Sequence, residues 1–347
     1  MTTAKPYYDF GDYLKKRLPF KVQKISVNAG FTCPNRDGTI GFGGCTYCNN
    51  RTFNPGYCRP DAGISEQLRE GIRFFSHKYP DMKYLAYFQA YTNTHASLNV
   101  LKQKYEEALS FPEVAGLVIG TRPDCMPDEL LDYLAGLAET AYIQVEYGVE
   151  STSDETLRRI NRGHTYQQAV ETIRRTAGRG IAVGAHLIVG LPGESREQIL
   201  THARRISTTP INTLKLHQLQ IIRHTAMEQE FITHPERFHI YTPSEYAALV
   251  VDFLERLNPQ IAVERFISQS PKELLIAPDW GLKNFEFTAL VNKQFRLRGT
   301  RQGGKAGETG EAGEIGEAGD SRLRGNDGEA GEEKECRGNG SFPLFLL

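Results

Sequence analysis

At 347 residues the chain is long enough for one large domain or two ordinary ones, and its 41 Lys and Arg against 42 Asp and Glu leave a net charge of -1. That balance excludes a protein that coats nucleic acid by bulk electrostatics, though not one with a local basic face. No apolar run approaches a membrane span and the opening MTTAKPYYDFGDYLKKRLPF has no apolar h-region, so neither an anchor nor an export signal is expected, and six cysteines then point to a reducing, cytoplasmic setting.

Residues 1–24 are aromatic and basic and read as a lead-in segment. Ile25 to Ala29 form a short apolar strand that runs into a loop carrying Cys33, Cys45 and Cys48, where Gly38, Gly41, Gly43 and Gly44 allow tight folding back. Ile64, Leu68, Ile72 and Phe75 recur at helical spacing. Residues 83–91 are a strand ending in polar TNTHAS, and a helix over 97–110 turns Leu98, Leu101, Tyr105 and Leu109 to one face. Residues 116–124 form a strand, after which Pro127 opens a helix with Leu130, Leu131, Leu134 and Leu137 inward. The strand 141–151 precedes a helix after Thr165 that buries Ala169 and Ile173 and stops near Gly178 and Gly180. Strand 181–194 leads to a helix begun by a capping box of Ser195 and Gln198. A strand over 213–222 follows, then a helix capped by Ser244 with Leu249, Val250, Phe253 and Leu257 on its apolar side.

Strand and helix thus alternate about six times, and the strands are nearly continuous apolar runs, which predicts a parallel sheet with helices outside. Polar residues follow every strand, so the tips face one cavity. This favours an α/β, partial (β/α)6 TIM-like barrel over an open doubly wound sheet. The expected divisions are a lead-in over 1–24, the barrel over 25–242, a helical or extended cap over 243–297 and a low-complexity tail over 298–347. The tail places glycine at every third position without the proline of a collagen helix, and its composition predicts disorder. Cys336, within it, reads as an incidental thiol.

The cysteines of C-x11-C-x2-C carry the chemistry. Three thiolates can hold three irons of a [4Fe–4S] cube and leave the fourth iron open, where most such clusters take four cysteines. C-x2-C is equally half of a structural zinc site, with Cys58 available as a fourth ligand. From the cysteines alone both readings stand.

Together with Thr121-Arg122-Pro123-Asp124, Gly148-Val149-Glu150-Ser151, Asn161-Arg162-Gly163-His164-Thr165, and Ala185-His186 leading to Leu191-Pro192-Gly193, the chain resembles the radical S-adenosylmethionine (SAM) superfamily over roughly residues 20–290. Within it, the chain is similar to the YhcC/YtqA-like branch and to the catalytic subunit of Elongator. The resemblance implies a [4Fe–4S] cluster on Cys33, Cys45 and Cys48 and SAM chelating the open iron. It further implies reductive cleavage of SAM to methionine and a 5′-deoxyadenosyl radical that abstracts hydrogen, with a reductant such as flavodoxin or ferredoxin.

The same resemblance implies roles for the strand-tip residues. Arg162 grips the SAM carboxylate, as a planar guanidinium suits it; the alternative is an exposed helix arginine like Arg158 or Arg159. Glu150 and Ser151 meet the ribose hydroxyls, or Glu150 merely caps the next helix. His186 sits near the nucleoside, or is a satisfied core histidine. Gln89, Thr92 and Asn93 stand where relatives carry a glycine-rich turn ending in a carboxylate that holds the SAM amino group. Tyr47 packs beside the adenine or the cluster, or covers apolar surface. Lys215 and His217 face the interior if the alternation holds. Cys58 and Cys125 match no cluster position.

For the substrate, the Elongator likeness implies a tRNA wobble-uridine side chain, although that family's acetyltransferase domain is absent. The arginines at 158, 159, 162, 174, 175 and 179 form a locally basic stretch compatible with phosphate contacts. The alternatives are a radical SAM oxidoreductase acting on a small metabolite, as coproporphyrinogen oxidase-like relatives do, or a non-catalytic Fe–S or zinc protein.

Overall fold

The computed structural model describes residues 5–52, 55–76 and 82–307. The expected tail from residue 308 onward, Cys336 included, lies outside the described residues.

The first half of the chain runs α1 (Phe10–Lys15), β1 (Val22–Val27), α2 (Ile64–Ser76), β2 (Lys83–Phe88), α3 (Leu98–Leu109), β3 (Val114–Thr121), α4 (Asp128–Ala138) and β4 (Tyr142–Glu150). The second half runs α5 (Asp154–Arg159), α6 (Tyr166–Gly178), β5 (Ala182–Val189), α7 (Arg196–Ser207), β6 (Thr213–Gln218), β7 (Ile221–Ile222), α8 (Ala226–Thr233), α9 (Pro243–Arg256), β8 (Ala262–Arg265), β9 (Leu275–Ala277) and α10 (Asn284–Arg298).

Seven strands form one parallel sheet in the order β1-β2-β3-β4-β5-β6-β8, curled into a half-barrel. Neighbours in the sheet are successive parallel strands, so each connection crosses back over the same face. β7 and β9 make a separate antiparallel pair. The expected six strands are joined by β8, whose four residues include two charges and so show no apolar run.

Alternation along each strand divides the buried side chains between two faces. Ile25, Ala86, Leu117, Val145, Val183 and Leu214 pack outward against helical Leu68, Leu101, Leu131, Ile173, Ile199 and Leu249 in one apolar core. Each such leucine or isoleucine contributes about 1.5–3 kcal/mol on burial. The inner face is different: Leu85, Tyr87 and Val118 form a small separate cluster, and buried polar groups fill the rest.

Local signals match the helix starts with small shifts. The Ser195–Gln198 capping box is present on α7, and Thr165 makes a second one with Gln168 on α6. α9 is capped by Thr242, not Ser244: Pro243 takes the first helical position and Glu245 completes the box. Pro127 is the N-cap of α4 rather than its first residue. The short α5, capped by Ser153, was not expected.

The free edge of β8 is covered. Val263 N–H donates to the Tyr8 carbonyl at 2.8 Å, so the lead-in lies along that edge and blocks further pairing. Tyr8 N–H donates to Gln302 Oε1 at 2.9 Å, and Gln302 Nε2 donates to the Asn258 and Ile261 carbonyls at 2.8 Å each. Residues 299–307, whose composition resembles the tail, are therefore held in place, with Lys305 paired to Glu255 at 2.7 Å.

Two glycines test this packing. A Cβ on Gly116 would sit 2.0 Å from the Tyr142 carbonyl oxygen, at the β3–β4 contact, whereas one on Gly136, inside α4, meets nothing within 4 Å. Gly116→Ala is expected to lower stability by about 1–3 kcal/mol or more, and Gly136→Ala to raise it by about 0.5–1 kcal/mol. Urea unfolding midpoints of the two variants check this, and a destabilised Gly136→Ala would contradict the packing described.

Candidate functional site

The loops at the C-terminal ends of the strands line an open-mouthed cavity of about 180 Å³, against the roughly 10–15 Å³ that one water needs. Cys33, Cys45 and Cys48 reach it from the loop after β1, Gln89 and Thr92 from the end of β2, and Arg122 from β3. Glu146, Gly148 and Glu150 come from β4, His186 and Ile188 from β5, His217 from β6 and Arg265 from β8.

The cysteine loop is pinned to the α5–α6 connection. Thr46 N–H donates to the Ile160 carbonyl at 3.0 Å and Asn161 Nδ2 to the Gly44 carbonyl at 2.8 Å, while within the loop Arg36 Nη2 donates to the Cys48 carbonyl at 2.8 Å. Burial, and then Cys45, push the Cys48 thiol up to about 12, so a metal bound there displaces its proton. Cys58 does not join the set. It is buried elsewhere, with Sγ on the Ser26 carbonyl at 2.8 Å, which removes the fourth ligand of the zinc reading. Among the described residues no Cys, His, Asp and Glu side chains converge on a single-ion position, although three thiols share one cavity. Three thiols without a fourth match a cluster that leaves one iron open, whereas a structural zinc site takes four ligands. The donor set fits a three-cysteine [4Fe–4S] cluster.

Beside the thiols, Arg162 is buried at 6% exposure. Its Nη1 donates to Cys45 Sγ at 3.6 Å and its Nε to His164 Nε2 at 3.0 Å, while Glu150 lies 3.7 Å from Nη2. Nη2 also donates to the Gly148 carbonyl, close enough that a Cβ on Gly148 would sit 2.7 Å from Nη2 and 2.4 Å from Glu150 Oε1. A side chain there would have to displace both groups. Glu150 itself adopts φ +67°, past a register shift in the β4–β5 pairing. A non-glycine residue in this region is strained, as strand ends at functional sites often are.

Below the cavity lies a charged floor. Glu146 accepts from Lys24 Nζ at 2.7 Å, His186 Nε2 at 3.0 Å and Lys215 Nζ, and both lysines also reach Glu264. Burial alone would raise the Glu146 carboxyl; Lys215 and then Lys24 hold it well below the usual range. Burial, then Lys215, lower His186; burial, then Arg265, lower His217 well below its ordinary value, so both rings are neutral.

Of the sequence-identified residues, Tyr47, Gln89, Thr92, Glu150, Arg162 and His186 line the cavity with the three cysteines. Arg162 is no exposed helix arginine, and Lys215 does face inward. Two residues are turned elsewhere. Asn93 is fully buried and donates from Nδ2 to the Phe88 and Gly120 carbonyls, stitching the ends of β2 and β3. Ser151 is fully buried and donates to Glu194 Oε1 at 2.6 Å. The basic stretch is not one free face either: Arg159 pairs with Glu230, and Arg175 and Arg179 pair with Asp128. Sequence reasoning passed over Lys24, Glu146, Glu264 and Arg265. For Lys24 and Glu146 the signal was a charge among apolar strand residues, which demands a partner; β8 is too short and too charged to carry such a signal.

A half-barrel with three cysteines after its first strand defines the radical SAM class. The chain belongs to the radical SAM superfamily, whose family model matches residues 30–206, and the Radical_SAM C-terminal domain model matches residues 211–296. It is similar to the uncharacterized protein YtqA of Bacillus subtilis, 35% identical over 301 residues that cover 87% of this chain and 93% of that protein. It is also similar to protein YhcC of Escherichia coli, 37% identical over 272 residues, 78% of this chain and 86% of that one. Elp3 of the archaeon Methanocaldococcus infernus, solved with an N-terminal deletion, shares the fold at TM-score 0.62 and 18% identity, over 82% of this chain and 64% of its own. Among the described residues no helix is long and apolar enough to cross a membrane.

His164 supplies a pH test. Its Nε2 accepts from Arg162 and its Nδ1–H faces the Thr165 carbonyl at 3.1 Å, so the ring is neutral. Burial, then the Arg162 charge, depress it from 6.5 to about 3. Between these values the unfolded chain holds a proton that the folded chain does not. The contribution of His164 is therefore full above about pH 6.5 and is lost toward pH 3, at about 1.4 kcal/mol per pH unit. His164→Gln should flatten the fall in stability between about pH 6.5 and 5, read as urea unfolding against pH; parallel curves for wild type and variant would contradict the assignment.

Proposed function

We propose that Cys33, Cys45 and Cys48 hold a [4Fe–4S] cluster, that SAM binds beside it in the same cavity, and that the enzyme removes a hydrogen atom from a substrate at the strand tips. The observation that carries this reading is the meeting of the three thiols with the Arg162–Glu150 pair in one cavity. Bound there, cluster and SAM supply one-electron reductive cleavage to methionine and a 5′-deoxyadenosyl radical, the electron coming from a flavodoxin or ferredoxin. The protein's part is position and exclusion of water. Arg162 offers a carboxylate the planar fork now shared among Cys45, Gly148 and Glu150. Glu150 accepts from ribose hydroxyls, while Gln89 and Thr92 accept from an ammonium. Tyr47 and His186 border the nucleoside.

Two substrate readings divide on specific grounds. The motif likeness to the Elongator catalytic subunit supports a tRNA wobble-uridine side chain. The pairing of Arg159, Arg175 and Arg179 with carboxylates means that the basic stretch is not one free cationic face, which favours a small metabolite.

Anaerobically reconstituted protein should be brown, with iron and sulfide near four each on the cluster reading. Once reduced it should release 5′-deoxyadenosine from SAM. Cys45→Ala should abolish both properties and Cys58→Ser should keep both; loss of the cluster in Cys58→Ser would overturn the three-cysteine assignment. Nucleoside profiling of tRNA from a deletion strain separates the substrates: a missing modification supports the uridine, an unchanged profile the metabolite.

A further inference from the structure

We propose that His217 and Arg265 form an oxyanion subsite in the cavity, which takes a carboxylate or phosphate of the substrate. The inference rests on the radical SAM reading above and narrows the substrate to a molecule bearing a small anionic group.

The argument starts from the charges of the inner face. Lys24 pairs with Glu146 at 2.7 Å and with Glu264 at 2.8 Å, and Lys215 pairs with the same two carboxylates. Two ammoniums and two carboxylates are thereby matched. Arg265 adds a third cation beside them, and its Nε is buried without a hydrogen-bond partner among the described residues. Of the other arginines lining the cavity, Arg122 makes a two-pronged contact with Asp124 at 3.0 and 2.8 Å, although its Nη1 is also buried without a partner among the described residues; Arg162 faces Glu150, and Arg36 donates to the Cys48 carbonyl within the cysteine loop. With His186 and His217 neutral, the floor carries one unmatched positive charge. An unpaired charge at a partly desolvated position is costly until an anion meets it.

His217 points to the same conclusion independently. Its Nδ1 is engaged by the Ser268 hydroxyl, while its Nε2 is buried and unpartnered among the described residues. With the hydroxyl donating to Nδ1, the neutral ring presents Nε2–H as a donor. Ser268 is fixed in turn by its N–H on Gln218 Oε1 at 2.6 Å. His217, Arg265 and Ser268 all line the cavity. The pair is carried by β6 and β8, whereas the cysteines come from the loop after β1. A guanidinium fork with a neighbouring N–H donor makes charge-assisted hydrogen bonds to a planar or tetrahedral oxyanion.

The test is isothermal titration of the reconstituted, oxidised, SAM-saturated protein with inorganic phosphate and, separately, with acetate. Saturable binding of either anion by wild type is expected, and the preferred one identifies phosphate or carboxylate as the substrate group. Arg265→Gln should weaken that binding roughly ten- to hundredfold, and Arg265→Lys, which keeps the charge without the fork, should fall between. Thermal melts confirm that both variants are folded; if Arg265→Gln is not, Arg265→Lys carries the test. Absence of anion binding by wild type, or equal binding by the folded variant, overturns the subsite. So does a variant that weakens SAM instead, which would assign Arg265 to the cofactor. Wild-type release of 5′-deoxyadenosine is measured alongside: its absence removes the radical SAM reading, whereas SAM cleavage with a flat anion titration removes the subsite alone.

Discussion

Glu146 is a carboxylate at 1% exposure in the middle of an apolar strand, and it gathers Lys24, His186 and Lys215 from three other strands. Moving such a group out of water costs several kcal/mol, which the two ammoniums offset; loss of one partner from a buried pair costs about 3–5 kcal/mol. The network exists only because the sheet is curled. Lys24 on the first strand reaches Glu264 on the last strand of the order at 2.8 Å, a distance that a flat seven-stranded sheet does not permit. Curvature and charge network therefore require one another.

This floor also decides where the cavity lies. Along β4, Gln144 and Glu146 fill the inner face, and Gly148, next on that face, opens it. β5 and β6 continue the pattern with His186 below Ile188 and Lys215 below His217. The bend at Glu150 then swings the chain toward α5 and the loop that carries Arg162. Strain of about 1–3 kcal/mol at such a residue persists because the surroundings hold it: Ser151 beyond it is anchored on Glu194, which is itself bonded to His202. Ser151 thus fixes the strand tip beside the cavity.

The arginines of the protein separate by their surroundings rather than by their position in the chain. Arg159, Arg175 and Arg179, on the outside, meet carboxylates of neighbouring helices and act as surface clasps, worth little individually. Those of the inner face stand in a partly desolvated space where each charge must be matched. Arg162, only three residues from Arg159, is among the cysteines, while Arg159 is on the outside with Glu230.

The amino-acid sequence by itself determined the repeated strand–helix order, the outward apolar core and the three cysteines. These are local or periodic features: apolar runs of strand length, helical spacing, capping boxes and a metal-ligand interval can all be read within a short window. The α9 cap moved by two residues and β8 escaped notice because such windows were ambiguous or too short. Only the tertiary structure decided which polar residues share the cavity. Asn93 and Ser151 neighbour true lining residues in the chain yet are turned away, because backbone carbonyls and Glu194 claim them first. Lys24, Glu146 and Glu264 meet only when strands far apart in sequence curl together, and Arg265 is left over only once those pairings are complete. Pairing across a barrel is a property of three-dimensional distance, and no interval along the chain encodes it.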